Sequence, residues 1–332
     1  MKEVIPGIYQ LPLPFPLEGP EHINSYLVQG DSGHLLIDTG WNTDESLDSL
    51  KKQLAEGGIN LEDISQIVIT HIHPDHYGLT GRLKQLSQAK IFLHYLEKDL
   101  IETRYIKMGG LLEQLDHWLR INGVITEELP QLQTASLKMA EFVAYILPDI
   151  ILRGGETIST GLFSFQVIWT PGHSPGHICL YEPAQKILIS GDHILPTTTP
   201  NVGLHPQSTE NPLGDYLKSI NAIKELDVKL VLPGHETPFT GLKSRINELI
   251  ERHKRRNSEI LQIIRAKPET PYQISIEIAS MSGASDAGWQ KLAPIDKRLA
   301  VLETIAHLES MRAEGKVSKL RRNNTTYYQP HD

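Results

Sequence analysis

The chain has 332 residues, 39% hydrophobic and 22% charged, with a formal net charge of -8, an ordinary balance for a globular protein. Its single cysteine, Cys179, excludes an internal disulfide. No segment approaches the roughly 20 apolar residues of a membrane span, and Met1 to Pro6 lack the apolar stretch of a secretory signal, so a cytoplasmic location is expected. Charge is uneven: residues 1–250 hold 18 Lys+Arg against 30 Asp+Glu, and residues 251–332 hold 14 against 10. The main body therefore repels polyanions on average, while the C-terminal part does not.

In chain order, Ile23 to Val28 and His34 to Asp38 are short apolar runs separated by Gly30, Asp31 and Gly33, which predicts a hairpin. Thr43 to Glu56 has helical spacing and stops at Gly57-Gly58. Ile64 to Thr70 is β-branched and predicts a buried strand; a helix over Leu79 to Leu86 and a strand over Ala89 to His94 follow. Residues 97–148 lack strand patterning and carry helical periodicity, as in Leu111, Leu112, Leu115, Trp118 and Leu119. They predict a helical insertion, either a structural excursion or a cap over a site. Strands return at Phe163 to Thr170, Ile178 to Tyr181, Lys186 to Ser190 and Lys229 to Leu232, with a helix from Leu213 to Leu226 and a long one from Leu242 to Ala266. The tail reads as helices over Tyr272 to Met281 and Ile295 to Glu314, then a hairpin turning at Asn323-Asn324. That pattern predicts a winged-helix-like unit, and domains of 1–250 and 251–332. No internal repeat or low-complexity tract is present.

The chemistry concentrates in five segments. Thr70-His71-Ile72-His73-Pro74-Asp75-His76 holds four potential ligands; Gly172-His173, Gly191-Asp192 and Gly234-His235 follow, each after an apolar run. Asp38-Thr39-Gly40 ends an earlier one. His71 and His73 are two apart, so on extended backbone both point to one side, while Asp75 and His76 project elsewhere. One loop can thus serve two metals. Loops at strand ends are where sheet proteins collect such ligands, and Gly172, Gly191 and Gly234 would let the backbone turn there. Imidazole and carboxylate suit zinc, iron or manganese. Two divalent cations with Asp75, Asp192 and a bridging hydroxide leave about one positive charge, suited to attack on a carbonyl or phosphoryl centre. A lone histidine among 15 would mean little; five ordered segments mean much more.

These residues resemble the metallo-β-lactamase superfamily: His71-x-His73-x-Asp75-His76, then His173, Asp192 and His235, with Asp38-Thr39-Gly40 earlier. The resemblance spans roughly residues 1–250. It implies an α+β architecture, the αββα sandwich of two mixed sheets with helices outside. It implies that His71, His73 and His173 bind one metal, that Asp75, His76 and His235 bind the other, and that Asp192 bridges them. Asp38 would orient the site from behind the ligands. The tail, from Leu249 to Arg256 onward, resembles β-lactamase-like hydrolases with a C-terminal winged helix, some of which are endoribonucleases.

The expected activity is a dinuclear metal-dependent hydrolase, zinc foremost, acting with a bridging hydroxide on a small ester, thioester, lactone or related acyl substrate, with Asp75 assisting proton transfer. The alternative is an endoribonuclease or phosphodiesterase whose winged-helix tail, through Lys316, Lys319, Arg321 and Arg322, binds RNA. A small molecule is the expected partner, with nucleic acid ranked below it; a homodimer is compatible, and no membrane is expected. Tyr105, His205, Tyr216 and Arg252 are candidate substrate contacts. His193 reads as structural and Cys179 as core.

Overall fold

The computed structural model describes residues 1–16, 22–135, 137–281 and 287–331. The chain divides into two units. The first is Met1–Ile106, Met139–Pro200 and Ser219–Ile246; the second is Lys107–Lys138, Asn201–Lys218 and Asn247–Asp332. The helical insertion is therefore shared: its residues 107–138 pack with the second unit, and that unit extends beyond the tail to include 201–218.

In the first unit, β1 (Lys2–Ile5), β2 (Ile8–Pro14), β3 (His22–Val28), β4 (His34–Ile37), β5 (Ile64–Val68), β6 (Lys90–His94) and β7 (Ile150–Leu152) form one sheet in sequence order. Pairing is antiparallel through β4 and parallel from β4 to β7. A second sheet comprises β8 (Thr157–Ser159), β9 (Ser164–Trp169), β10 (Ile178–Glu182), β11 (Ile187–Gly191) and β12 (Leu230–Pro233), with only β11 and β12 parallel.

Alternation along the strands builds the layers. Tyr26, Val28, Leu35, Ile37 and Val68 from the first sheet meet Phe165, Val167, Ile178, Leu180, Ile189 and Leu232 from the second in one core. The opposite faces of the same strands, through Ile23, Leu27, Leu36 and Ile67, meet helical residues Leu47, Leu50, Leu54 and Leu83 in another. Strands covered on both faces read as nearly continuous apolar runs, which is why these segments are legible in the sequence. The helix Asp44–Glu56 starts where Thr43 accepts from the Ser46 N–H at 3.0 Å, and it buries Leu47, Leu50 and Leu54 on one face. This is the sandwich that the resemblance implies.

Ligand-bearing loops leave at strand ends. Asp38 follows β4, the His71–His76 loop follows β5, His173 follows β9, Asp192 follows β11 and His235 follows β12. The Ile178 N–H donates to Thr70 O across the sheets (3.0 Å), and the Gly234 N–H donates to Gly191 O (2.8 Å). These bonds draw the loops of different strands to one edge.

The second unit packs Ile260, Ile264, Ile274, Ile278, Leu308, Met311, Val317 and Tyr328 into its own core. Its long helix Pro294–Ala313 leads into β13 (Val317–Arg322) and β14 (Thr325–Pro330), a hairpin turning at Asn323 (φ 47°) and Asn324 (φ 64°). Two positive φ values at Asn are what a tight two-residue hairpin turn needs. Glu128 accepts from Lys297 Nζ (2.8 Å), Tyr272 OH (3.2 Å) and Trp289 Nε1 (3.3 Å) within this unit. No helix among the described residues is long and apolar enough to cross a membrane.

Candidate metal centre

Among the described residues two groups have donor atoms close enough to hold a metal ion: His71, His73 and His173, and Asp75, His76, Asp192 and His235. All seven are residues singled out from the sequence, and within each group the donors lie within 4.8 Å of one another. His73 Nδ1 is 2.9 Å from His71 Nε2 and 3.0 Å from His173 Nε2. His76 Nε2 is 3.2 Å from Asp192 Oδ1, and His235 Nε2 is 3.2 Å from Asp75 Oδ2. Asp192 Oδ2 lies 3.4 Å from His235 Nε2 and 3.8 Å from His173 Nε2, so its carboxylate faces both groups.

In the mixed group two donors are close without being bonded to each other. His76 Nε2 and Asp192 Oδ1 are buried and make no hydrogen bond despite their proximity. A buried polar atom left without a partner costs about 1–3 kcal/mol. Donors about 2.1 Å from a tetrahedral cation lie about 3.4 Å apart, close to the separations observed. The donor set therefore fits divalent cations.

Other hydrogen bonds aim the ligands. Asp38, at φ 58°, accepts from Thr70 N (2.8 Å), Thr70 Oγ1 (2.8 Å) and His76 Nδ1 (2.7 Å). With a proton held on Nδ1 by Asp38, Nε2 is the His76 nitrogen that faces the aspartates and that would give up its proton to take a cation. Thr70 Oγ1 lies 3.1 Å from His71 Nδ1 and orients that ring likewise.

Electrostatics divide the two groups. Burial, with the facing His76, His73 and His173, holds His71 well below the ordinary histidine range. Burial, with His173 and Arg104, does the same for His73, leaving both neutral. For His76 burial opposes charge, but Asp192, Asp38 and Asp75 outweigh it and raise the imidazole well above its usual range. His235 is raised to about 10, burial again being outweighed by Asp192 and Asp75. Burial also works against an ionised Asp192, yet His235 and His76 hold it well below the usual carboxylate range.

Glycine serves two purposes here. Gly172 (φ 143°) and Gly191 (φ 48°) take positive φ, as a sharp turn requires. Gly234 does not; its reason is space, since a Cβ there would fall 2.4 Å from Asp192 Oδ1 and 2.7 Å from His76 Cε1.

The predicted substrate contacts fare differently. Tyr105 is in the first unit, but its hydroxyl donates to Ile72 O, so it braces the ligand loop, and burial raises its phenol above the usual range. His205, Tyr216 and Arg252 belong to the second unit and are not members of either metal group. Tyr216 is fully buried with its ring 5.5 Å from His253, His205 Nδ1 accepts from the Gln207 N–H (3.2 Å), and Arg252 is exposed.

Sequence reasoning missed His177. It is fully buried, its Nδ1 is 2.8 Å from Thr170 Oγ1, and its Nε2 accepts from the Asp192 N–H (3.2 Å), fixing the backbone of the residue that faces both groups. The only signal was a second Gly-His, Gly176-His177, four residues after Gly172-His173. His193 stacks on His177 (5.3 Å) and bonds Ser219 Oγ (2.8 Å). Cys179 is buried in β10, where burial pushes its thiol up to about 12.

Comparison with known proteins agrees with this geometry. The model of the family described as "Metallo-beta-lactamase superfamily" matches residues 19–235. The Bacillus subtilis (strain 168) protein named "Probable metallo-hydrolase YqjP" is 28% identical over 307 residues, 91% of this chain and 92% of that protein. The human acyl-coenzyme A thioesterase MBLAC2 is 29% identical over 235 residues, 67% of this chain and 76% of that one. The crystal structure of a metallo-beta-lactamase family protein from Thermus thermophilus superposes with a TM-score of 0.83 at 31% identity, covering 99% of this chain and 100% of the other. With its sandwich, its ordered ligand segments and these matches, the chain belongs to the metallo-beta-lactamase superfamily and is a metal-dependent hydrolase of it.

Proposed function

We propose that the protein is a dinuclear hydrolase of a small acyl substrate, an ester, thioester or lactone. The observation that carries this reading is the pair of adjacent donor groups with Asp192 facing both. His71, His73 and His173 would hold one divalent cation, and Asp75, His76 and His235 the other, with zinc suited to both. Cations held there supply Lewis acidity toward a substrate carbonyl and acidify a water to a pKa of about 7. The chain's own part is to keep His71 and His73 neutral, to keep Asp192 ionised, and to orient His76 through Asp38. Asp75, with its side chain 15% exposed, would pass a proton to a leaving group. The human relative named as an acyl-coenzyme A thioesterase supports a thioester as the first substrate class to test.

The RNA-cleaving alternative draws less support. On the hairpin, Lys319 is paired with Glu309 (2.7 Å), Lys316 with Glu314 (2.5 Å), and Arg321 bonds Asn324. A small-molecule substrate, a cytoplasmic setting and a homodimer remain part of this proposal. The test is turnover of an acyl-coenzyme A thioester, a lactone and single-stranded RNA by metal-depleted protein before and after adding Zn²⁺. Zinc-restored acyl hydrolysis with intact RNA is expected; RNA cleavage without acyl hydrolysis would overturn the reading.

A further inference from the structure

We propose that Glu97 is the positioning residue of the three-histidine group, as Asp38 is of the other. This rests on reading His71, His73 and His173 as metal ligands. Glu97 lies in the short helix Tyr95–Ile101 that follows β6, and its side chain is fully buried. No apolar pattern explains a carboxylate there, and a buried carboxylate is costly unless hydrogen-bonded. Its bonds go to the two loops that carry the three histidines. Oε2 accepts from the N–H of Ile72 (3.0 Å), the residue between His71 and His73. Oε1 accepts from Ser174 Oγ (2.8 Å), the residue after His173, and from the Gly176 N–H (2.7 Å).

One rigid carboxylate therefore sets the distance between loops that leave different sheets. The two peptide units that flank Ile72 are each held: the N–H of the one before it by Glu97, and the carbonyl of the one after it by Tyr105, eight residues further along. Ile72 itself is fully buried, so neither unit has much freedom to turn. Gly176 shows how close the approach is. A Cβ there would fall 2.8 Å from Glu97 Cγ and 2.9 Å from Glu97 N. Outer hydrogen-bond partners of this kind typically carry 10- to 100-fold in metal affinity. The three bonds of Glu97 fall at Ile72, Ser174 and Gly176, next to or between the residues of the three-histidine group and not next to Asp75, His76, Asp192 or His235, so its effect falls on one metal of two.

The test titrates Zn²⁺ into the metal-depleted full chain against a chelating dye, for the wild type, Glu97→Gln, Ser174→Ala, His173→Ala and the double variant Glu97→Gln/His173→Ala. Wild type binds two equivalents. Glu97→Gln keeps one at the wild-type Kd and weakens the other about 10- to 100-fold. Ser174→Ala, which removes one of the three bonds, weakens the same equivalent by a smaller factor. His173→Ala loses it, and adding Glu97→Gln costs nothing further, as for residues acting on one site. Unchanged Kd for both equivalents in Glu97→Gln, or equal weakening of both, overturns the assignment. Should Glu97→Gln fail to fold, unchanged affinities in Ser174→Ala overturn it as well. A wild type that binds fewer than two equivalents overturns the dinuclear reading first, and this one with it.

Discussion

Replacing Asp38 by Asn tests whether the orientation of His76 governs the mixed carboxylate–histidine group. Asp38 accepts three hydrogen bonds, two of them on Oδ2 from Thr70 Oγ1 and His76 Nδ1. In Asp38→Asn, the remaining oxygen keeps the Thr70 N–H, while an NH₂ donor replaces Oδ2. Thr70 Oγ1 can turn and accept from it. His76 can accept only by giving up the proton on Nδ1, which moves it to Nε2, the atom facing Asp75 and Asp192. That protonated nitrogen has no lone pair for a cation. Each charge-assisted bond removed is worth about 1.5–3 kcal/mol. An affinity loss of about 10- to 100-fold, or about 1.4–2.7 kcal/mol, is therefore expected for one equivalent of Zn²⁺. Asn tolerates the positive φ of position 38 nearly as well as Asp does, so circular dichroism and the Tm stay close to wild type. A competitive chelator titration reads the affinity. Wild-type Kd for both equivalents in a folded Asp38→Asn protein would refute the reasoning.

Asp192→Ala should lower zinc content below two equivalents and abolish hydrolysis, because its carboxylate faces both groups; full metal content with full activity would remove the bridging role. Gly234→Ala should fold yet lose metal at the second group, since its Cβ would press on Asp192 Oδ1 and His76; atomic emission showing two equivalents would contradict this. In the second unit, burial aided by Arg252 and Arg256 lowers His253 to about 4, and burial with His253 and Arg256 holds the adjacent His307 well below the usual range. Both are depressed relative to the unfolded chain, so their stabilisation is complete above about pH 6.5 and is lost as pH falls toward 4. The shift at His253 alone corresponds to a loss on the order of 3 kcal/mol. Hydrogen exchange of the helix Pro294–Ala313 at pH 7.5 and 5 measures it, and an identical pH response in His253→Gln would rule the pair out as its source.

Much of the first unit was legible because its signals are local. The inner strands β3, β4, β10 and β11 are covered on both faces, so their residues are apolar run after run, and each candidate ligand stands beside the turn that ends its strand. Four ordered segments, with Asp38-Thr39-Gly40 before them, were enough to single out all seven donors, since what relates them is position along a strand and not distance in space. The hairpin at Asn323-Asn324 was legible for the same reason: its turn needs two positive φ values, and the residues that accept them are adjacent. Nothing local marks Glu97 or His177. Each looks like one acid or one histidine among many, and each acquires its role only when loops from two sheets bring N–H groups to it. The backbone bond of Tyr105 was hidden as well, because an aromatic hydroxyl near the candidate ligand segment points to substrate or to backbone alike, and its partner, Ile72 O, is 33 residues away. The partition of the chain was equally hidden. Residues 107–138 are helical by periodicity wherever they pack; that they join 201–218 and 247–332 follows from complementary buried faces and from Glu128 meeting Lys297, Tyr272 and Trp289, contacts that exist only once the chain has closed on itself.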